Sequence, residues 1–282
     1  LDSCVHGFNL KNKSDKEPSL KSVYDEYEIF RNNISKIKID STENIKKLCK
    51  EFNSYRSKVA NILEKRKNAG QENLRSSMME EFFVHLLSDL IQTKFKTTPK
   101  NLFIGKGNGY VDLTFSPKKF TAMFNEPGEY FHSKDQDFMF GAQFSVYIRP
   151  DNIDSGKVKN TKIIVPVIAI ECKTYLERNM LDSCAGTATR IKKATPYCLY
   201  IVASEYLKLK DSHPELTDID EVYVLCRESN ADRLTKQKNG QNITPIDEDL
   251  ILDIFYLVSK HLNRVWWQPE NAISCGKVIN RH

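Results

Sequence analysis

Hydrophobic positions recur at helical spacing through the first hundred residues and then shift to the period of two that marks strands. From Ser19 to Ile39, the residues Val23, Tyr27, Phe30, Ile34 and Ile37 line one face while Lys and Arg take the rest, which predicts a helix. From Glu43, steps of three and four through Ile45, Leu48, Phe52, Tyr55, Val59 and Ile62 draw a narrow apolar seam, stopped at Asn68-Ala-Gly70. A seam of this width needs a neighbouring helix, either the preceding one or one from another subunit, and short helical hairpins favour the preceding one. Leu74 to Phe95 predicts a third helix with Met79, Phe83, Leu86, Leu87 and Leu90 inward. Residues 1 to 18 are polar and lysine-rich, end at Pro18, and read as a mobile tail or a strap on the core.

The strand pattern follows. Tyr110 to Phe115 predicts a strand, and Gly105-Lys-Gly-Asn-Gly109 a turn into it, because no G-x-x-x-x-G-K-[S/T] is present and no helix follows. Residues 117 to 134, with Pro117, Pro127 and Gly128, read as a loop long enough to reach a ligand. In Asp137 to Ile148 the residues Phe138, Phe140, Ala142, Phe144, Val146 and Ile148 alternate as one apolar face, which leaves Asp137 on the polar face. Ile163 to Ile170 is an unbroken apolar run, suited to a strand covered on both sides. Arg149 to Thr161 between them has turn composition. Met180, Leu181, Cys184, Ala188 and Ile191 predict a helix ended by Pro196, and Cys198 to Ala203 and Val222 to Cys226 two more buried strands. Strand, helix, strand is the crossover of an α/β sheet. Arg227 to Thr244 lacks apolar periodicity and reads as a solvated loop. Asp247 caps a last helix with Ile251, Ile254, Phe255, Val258 and Leu262 inward, before Trp266 and Trp267, which read as core or interface anchors. The expected fold is α/β, a mixed central sheet flanked by helices, divided into an N-terminal helical region over residues 1–70 and a second domain over 71–282.

The chemistry concentrates where the apolar run ends in Glu171-Cys172-Lys173. Side chains two apart on a strand share a face, so Glu171 and Lys173 point one way while Cys172 turns with Ile168 and Ile170. A carboxylate and an ammonium at a strand end suit a site that holds a hard divalent cation and steadies a phosphate, the plain alternative being an ion pair. The midpoint of 137 and 171 is 154, inside the turn segment, so an antiparallel hairpin centred there brings Asp137 beside Glu171. Asp112 and Asp135 are the competing acids, but the midpoint of 112 and 171 falls within a strand and no simple hairpin joins them. On the third helix, at about 100° per residue, Glu80 flanks the core and Glu81 faces away, and complementation of the helix dipole is the plain reading of both acids. His85 points off the core face and reads as a surface residue.

Composition adjusts this picture only slightly. The net charge of +5, from 42 Lys+Arg against 37 Asp+Glu, fits a polyanion-binding surface opposite acidic ligands without requiring one. Seven cysteines with no C-x-x-C spacing argue for reduced thiols and against zinc or a disulfide framework. Lys65-Arg66-Lys67 reads as a helix C-terminal cation set, with a phosphate contact as the alternative. No apolar run approaches a membrane span and no secretory segment is visible, so the expectation is a soluble, intracellular protein.

An acid opening one strand and E-x-K closing the next resembles the PD-(D/E)XK nuclease superfamily, without the proline of its name. Lys134-Asp-Gln-Asp-Phe138, the segment Glu171 to Gly186, and Ala194 to Tyr206 resemble subunits of BbvCI-type heterodimeric type II restriction endonucleases. Leu74 to Phe83, and Trp266-Trp with Gly276 to Arg281, extend the resemblance over roughly residues 70 to 282. It implies a nuclease domain over 71–282 and a magnesium-dependent site-specific deoxyribonuclease that hydrolyses one DNA strand per subunit by water attack. Asp137 and Glu171 would hold one or two Mg2+ ions, with Mn2+ able to substitute. Lys173 would position and help deprotonate water or neutralise the pentavalent phosphate, and Glu80 would complete the metal's outer shell. Arg75, Arg190, Lys192 and Lys193 are the candidate DNA contacts. The implied partners are double-stranded DNA and a homologous second nuclease subunit, in a prokaryotic cytoplasm. A homodimeric restriction or repair nuclease, and a DNA-binding module with a vestigial site, are the alternatives.

Overall fold

The computed structural model describes residues 5–66, 73–149, 151, 159–263 and 269–277. Four helices open the fold: α1 (Val5–Ser14), α2 (Lys21–Ile34), α3 (Thr42–Glu64) and α4 (Ser77–Gln92). Ser41 caps α3 by accepting the Asn44 backbone N–H at 3.2 Å, which satisfies one of the donors a helix start leaves open. The seam of α3 packs against α2, α4 and the later α7 (Glu248–Asn263), so its partners lie within the chain. It drifts at its end, where Leu63 is buried in place of Ile62 because the last step from Val59 is four residues.

The first segment is a strap, and a helical one. Leu10 and His6 are buried, and the His6 ring joins Ser77 at 3.0 Å to Tyr55 at 2.6 Å. The backbone N–H of Gly7 donates to Glu81 at 3.0 Å. A methyl group at Gly7 would stand 2.0 Å from the Tyr27 hydroxyl oxygen, so only glycine lets α1 approach this closely.

Among the described residues, five strands form one mixed sheet in the order β1 (Leu102–Phe115), β2 (Glu129–Ile148), β3 (Lys159–Leu176), β4 (Leu199–Leu207) and β5 (Glu221–Val224). The first two pairings are antiparallel and the last two parallel. Helix α5 (Arg178–Ala194) makes the crossover from β3 to β4. One face of the sheet, including Phe138, Ile168, Ile170 and Ile201, shares a continuous apolar core with α1 to α4 and α7. The other face, including Ala169, Tyr200 and Val202, packs on α5 through Leu181, Cys184, Ala188 and Ile191. Both faces of β3 are therefore covered, as its unbroken apolar run requires. Among the described residues no helix is long and apolar enough to cross a membrane.

Several local expectations are corrected. β1 begins at Leu102, so the Gly105 to Gly109 segment lies inside a strand and is not a turn. Gly105 takes a φ of 127°, which L side chains rarely adopt, and the β1–β2 register slips between Gly105 and Gly107. β2 begins at Glu129 and takes up the end of the expected loop. Its apolar face is buried only as far as Phe140; Phe144 is exposed because the hairpin with β3 runs out past the helices that cover its base. The expected loop after Arg227 contains α6 (Asn230–Lys238), capped by Ser229 and held by the Arg233 to Glu64 ion pair at 2.8 Å, with no apolar face for periodicity to reveal. Helix α8 (Pro269–Cys275) is the last helix among the described residues. Lys67, Gly70, Asp154, Trp266, Trp267 and Arg281 lie outside the described residues.

Candidate active site

The hairpin register carries the site. Phe138 pairs with Ile170 and Met139 with Ala169, which leaves Asp137 opposite Glu171 at the next step. The Asp137 carboxylate accepts the Cys172 backbone N–H at 2.9 Å. Lys173 Nζ lies 2.7 Å from Glu171 Oε2 and 3.6 Å from Asp137 Oδ2. Cys172 turns to the opposite face and into the helical core with Ile168 and Ile170.

Helix α4 brings Glu80 to the same place. Its carboxylate is almost wholly buried and receives Lys106 Nζ on Oε1 at 3.1 Å. Oε2 is buried with no hydrogen-bond partner. Lys106 also stands 3.4 Å from Asp137 Oδ1 and 3.9 Å from Asp135 Oδ2. Sequence reasoning missed this lysine. Between Gly105 and Gly107 on β1 there is one residue, while between their partners Met139 and Gln136 on β2 there are two, Asp137 and Phe138. This is a β-bulge, and it sets Lys106 against Asp137. Three glycines in five residues inside a period-two pattern were the available signal.

The electrostatics are those of charges held short of satisfaction. Burial, and then the facing charge of Asp137, push the Glu80 carboxyl up to about 7 against the pull of Lys106. Burial also raises Glu171, with Lys173 opposing and Asp137 adding to the rise. Burial alone would lower Lys173, but Glu171 and Asp137 outweigh it and hold the ammonium firmly charged. Burial and then the Glu171 charge raise the pKa of the buried Tyr200 hydroxyl.

The other candidates fall elsewhere. Glu81 was expected to face away; it is buried and accepts from Gly7 N at 3.0 Å and Tyr27 Oη at 2.7 Å, with Arg31 at 3.5 Å. Helix α1 covers the face that the periodicity of α4 alone left open. His85, expected on the surface, is partly buried between Glu81 at 3.3 Å and Arg31 at 2.7 Å. Arg75, expected to contact DNA, is 5% exposed, and its guanidinium is committed to Glu205 and to Glu64 at 3.0 Å. Two charges on separate segments found each other in the core, which spacing cannot reveal. Asp112 pairs with Arg190 at 3.0 Å, and Lys192 with Asp220 at 2.6 Å. Lys193 is exposed near the end of α5.

Among the described residues no three or more of His, Cys, Asp and Glu gather into a metal cage as they stand, because lysine ammonium groups lie between the carboxylates. The donor set nevertheless fits a hard divalent cation: it is made of carboxylate oxygens, and a buried Glu80 oxygen lacks any partner.

A mixed sheet flanked by helices, with an acid and E-x-K meeting at the base of a hairpin, is a restriction-endonuclease-like core. The chain belongs to the Bpu10I restriction endonuclease family, whose family model matches residues 71–276. It is accordingly a type II site-specific endonuclease that acts on DNA, and restriction endonucleases generally use divalent metal ions. Among solved structures it is similar to the native BbvCI A2B2 tetramer at low resolution, with a TM-score of 0.66 at 17% identity, over 94% of this chain and 99% of that one. No curated protein matches it by sequence.

Proposed function

We propose that this chain is one subunit of a magnesium-dependent restriction endonuclease, that it cuts one DNA strand, and that it works beside a homologous but different second subunit. The observation that carries the reading is the convergence of Asp137, Glu171 and Lys173 at one end of the β2–β3 hairpin. Asp137 and Glu171 would hold Mg2+, which when bound polarises the phosphate and lowers the pKa of water. Lys173, kept charged by both carboxylates, orients the attacking water and neutralises charge as it builds on the phosphorus oxygens. Glu80, with its free oxygen, would complete the outer shell of the metal. Arg190, Lys192 and Lys193 line the end of α5 and would meet the DNA backbone. Mn2+ should substitute for Mg2+.

Residues 71–282 form the nuclease domain in this reading, and residues 1–70 a helical region that braces α4 from behind. The different second subunit is suggested by the A2B2 composition of the BbvCI tetramer. A restriction enzyme works on DNA inside the cell, which makes the location cytoplasmic. The test is plasmid nicking with Mg2+, with EDTA, and with or without the partner subunit. Nicking of one strand by this chain with a catalytically dead partner, abolished by EDTA, is the expected result. Full cleavage in EDTA overturns the metal assignment, and cleavage of both strands by this chain alone overturns the division of labour.

A further inference from the structure

We propose that Lys106 is the second cation of the active site: its ammonium, between Glu80 and Asp137, stands in for a second metal ion, so each chain binds a single divalent ion. The inference rests on the metal reading of Asp137 and Glu171 given above.

Position comes first. Lys106 Nζ stands 3.1 Å from Glu80, 3.4 Å from Asp137 and 3.9 Å from Asp135, so three carboxylates surround one ammonium. Asp137 is shared, with Oδ1 toward Lys106 and Oδ2 toward Lys173. A carboxylate that bridges two cations is what a two-metal site requires of its central acid.

Charge comes second. Glu80, Asp135, Asp137 and Glu171 carry four negative charges when ionised, and Lys106 and Lys173 carry two positive ones. The excess of two negative charges equals the charge of one divalent ion. Without Lys106 the excess grows and the Glu80 and Asp137 oxygens become free donors for a second ion.

Construction comes third. Lys106 lies opposite a bulge on β2, a device that re-aims side chains beside active sites, here Asp137 toward Lys106, at the expense of ladder hydrogen bonds. An ordinary surface ion pair needs no such device. The ammonium has three donors, and the two short contacts to Glu80 and Asp137 leave one for a phosphate oxygen. The lysine thereby supplies positive charge on the Glu80 side of the reacting phosphate.

The experiment counts ions. Wild type, Lys106→Gln and Lys106→Arg are titrated with Mn2+ in the absence of DNA, and free Mn2+ is read by electron paramagnetic resonance. Thermal unfolding of each metal-free chain accompanies the titration. The expected result is one Mn2+ per chain for wild type and Lys106→Arg, and two for Lys106→Gln. In nicking assays Lys106→Gln should be slower by about 10- to 100-fold at low Mn2+ and recover as Mn2+ rises. Two ions bound by wild type overturn the proposal whatever the variants do. One ion bound by both wild type and a folded Lys106→Gln overturns the lysine's role and leaves the metal reading intact. No ion bound by any chain overturns the metal reading, and this proposal with it.

Discussion

Glu80 and Glu81 are neighbours on one helix and both are almost completely buried, yet their surroundings drive them in opposite directions. Burial would raise Glu81, but His85, His6, Gly7 and Tyr27 outweigh it and lower the carboxyl to about 2. Glu80 is raised to about 7, with one oxygen unpartnered and Asp137 facing it. The same contrast separates two larger clusters. Glu205 sits between Arg56 and Arg75, whose charges overcome its burial and bring it down to about 2. Glu171 is raised in spite of Lys173. Acids that hold the fold together are supplied with every partner they can take, whereas those at the hairpin base are left wanting positive charge. Degree of satisfaction, more than burial, tells structural acids from those available to a ligand.

Four tests can break or sharpen that contrast. Asp137→Asn should lower cleavage by about a thousandfold or more, since metal stabilisation of transition-state charge is worth several kcal/mol and each 1.4 kcal/mol is tenfold. Its metal-free thermal unfolding should stay level or improve, because a crowded carboxylate has been neutralised. Asp112→Asn, which loosens only Arg190 and His132, should keep cleavage near wild type. An inactive, folded Asp112→Asn beside an active Asp137→Asn would refute the assignment. Next in size, Glu205→Gln leaves Arg56 and Arg75 buried without their shared counter-charge and should cost about 3–5 kcal/mol in urea unfolding. A loss below about 1 kcal/mol would make this network dispensable, as exposed pairs are.

The adjacent glutamates give the sharpest test. Glu81→Gln weakens hydrogen bonds to a buried carboxylate and should destabilise by about 1–3 kcal/mol, while Glu80→Gln should be neutral or stabilising and impair cleavage. Equal destabilisation by both would erase the distinction. The smallest effect is a pH slope. His6 is lowered to about 4 by burial, with Glu81 opposing. Between pH 6.5 and 4 the unfolded chain therefore takes up a proton that folded His6 refuses. Its contribution to stability is fully present above 6.5 and is lost as pH falls toward 4, by at most about 1.4 kcal/mol per pH unit. The difference in urea stability between wild type and His6→Gln should carry that slope, and a flat difference would mean His6 titrates freely.

The β2–β3 hairpin was legible in the chain because alternation and turn composition are local, and two strands with one turn between them fix a register. The direction of Glu171 against Cys172 followed for the same reason. Glu81, His85 and Arg75 were misjudged because their partners arrive from α1, α2 and β4, and a helix's own periodicity says nothing of what will cover its outer face. Lys106 was hidden differently. Its glycine-rich surroundings were visible, but a bulge and a turn draw on the same residues.

The Arg56 to Glu205 contact joins positions 149 apart in sequence, and that has a consequence for biosynthesis. A ribosome delivers α1 to α4, then Lys106, Asp137, Glu171 and Lys173, before it delivers the acid that neutralises Arg56 and Arg75. A nascent chain halted ahead of β4 holds Glu80, Asp137 and Glu171 but has two core arginines without their shared counter-charge and no β4 for the helices to close upon. The two core arginines of the helical layer behind Glu80 therefore meet their shared counter-charge only after translation has passed Glu205, which places the final closure of that layer late in synthesis.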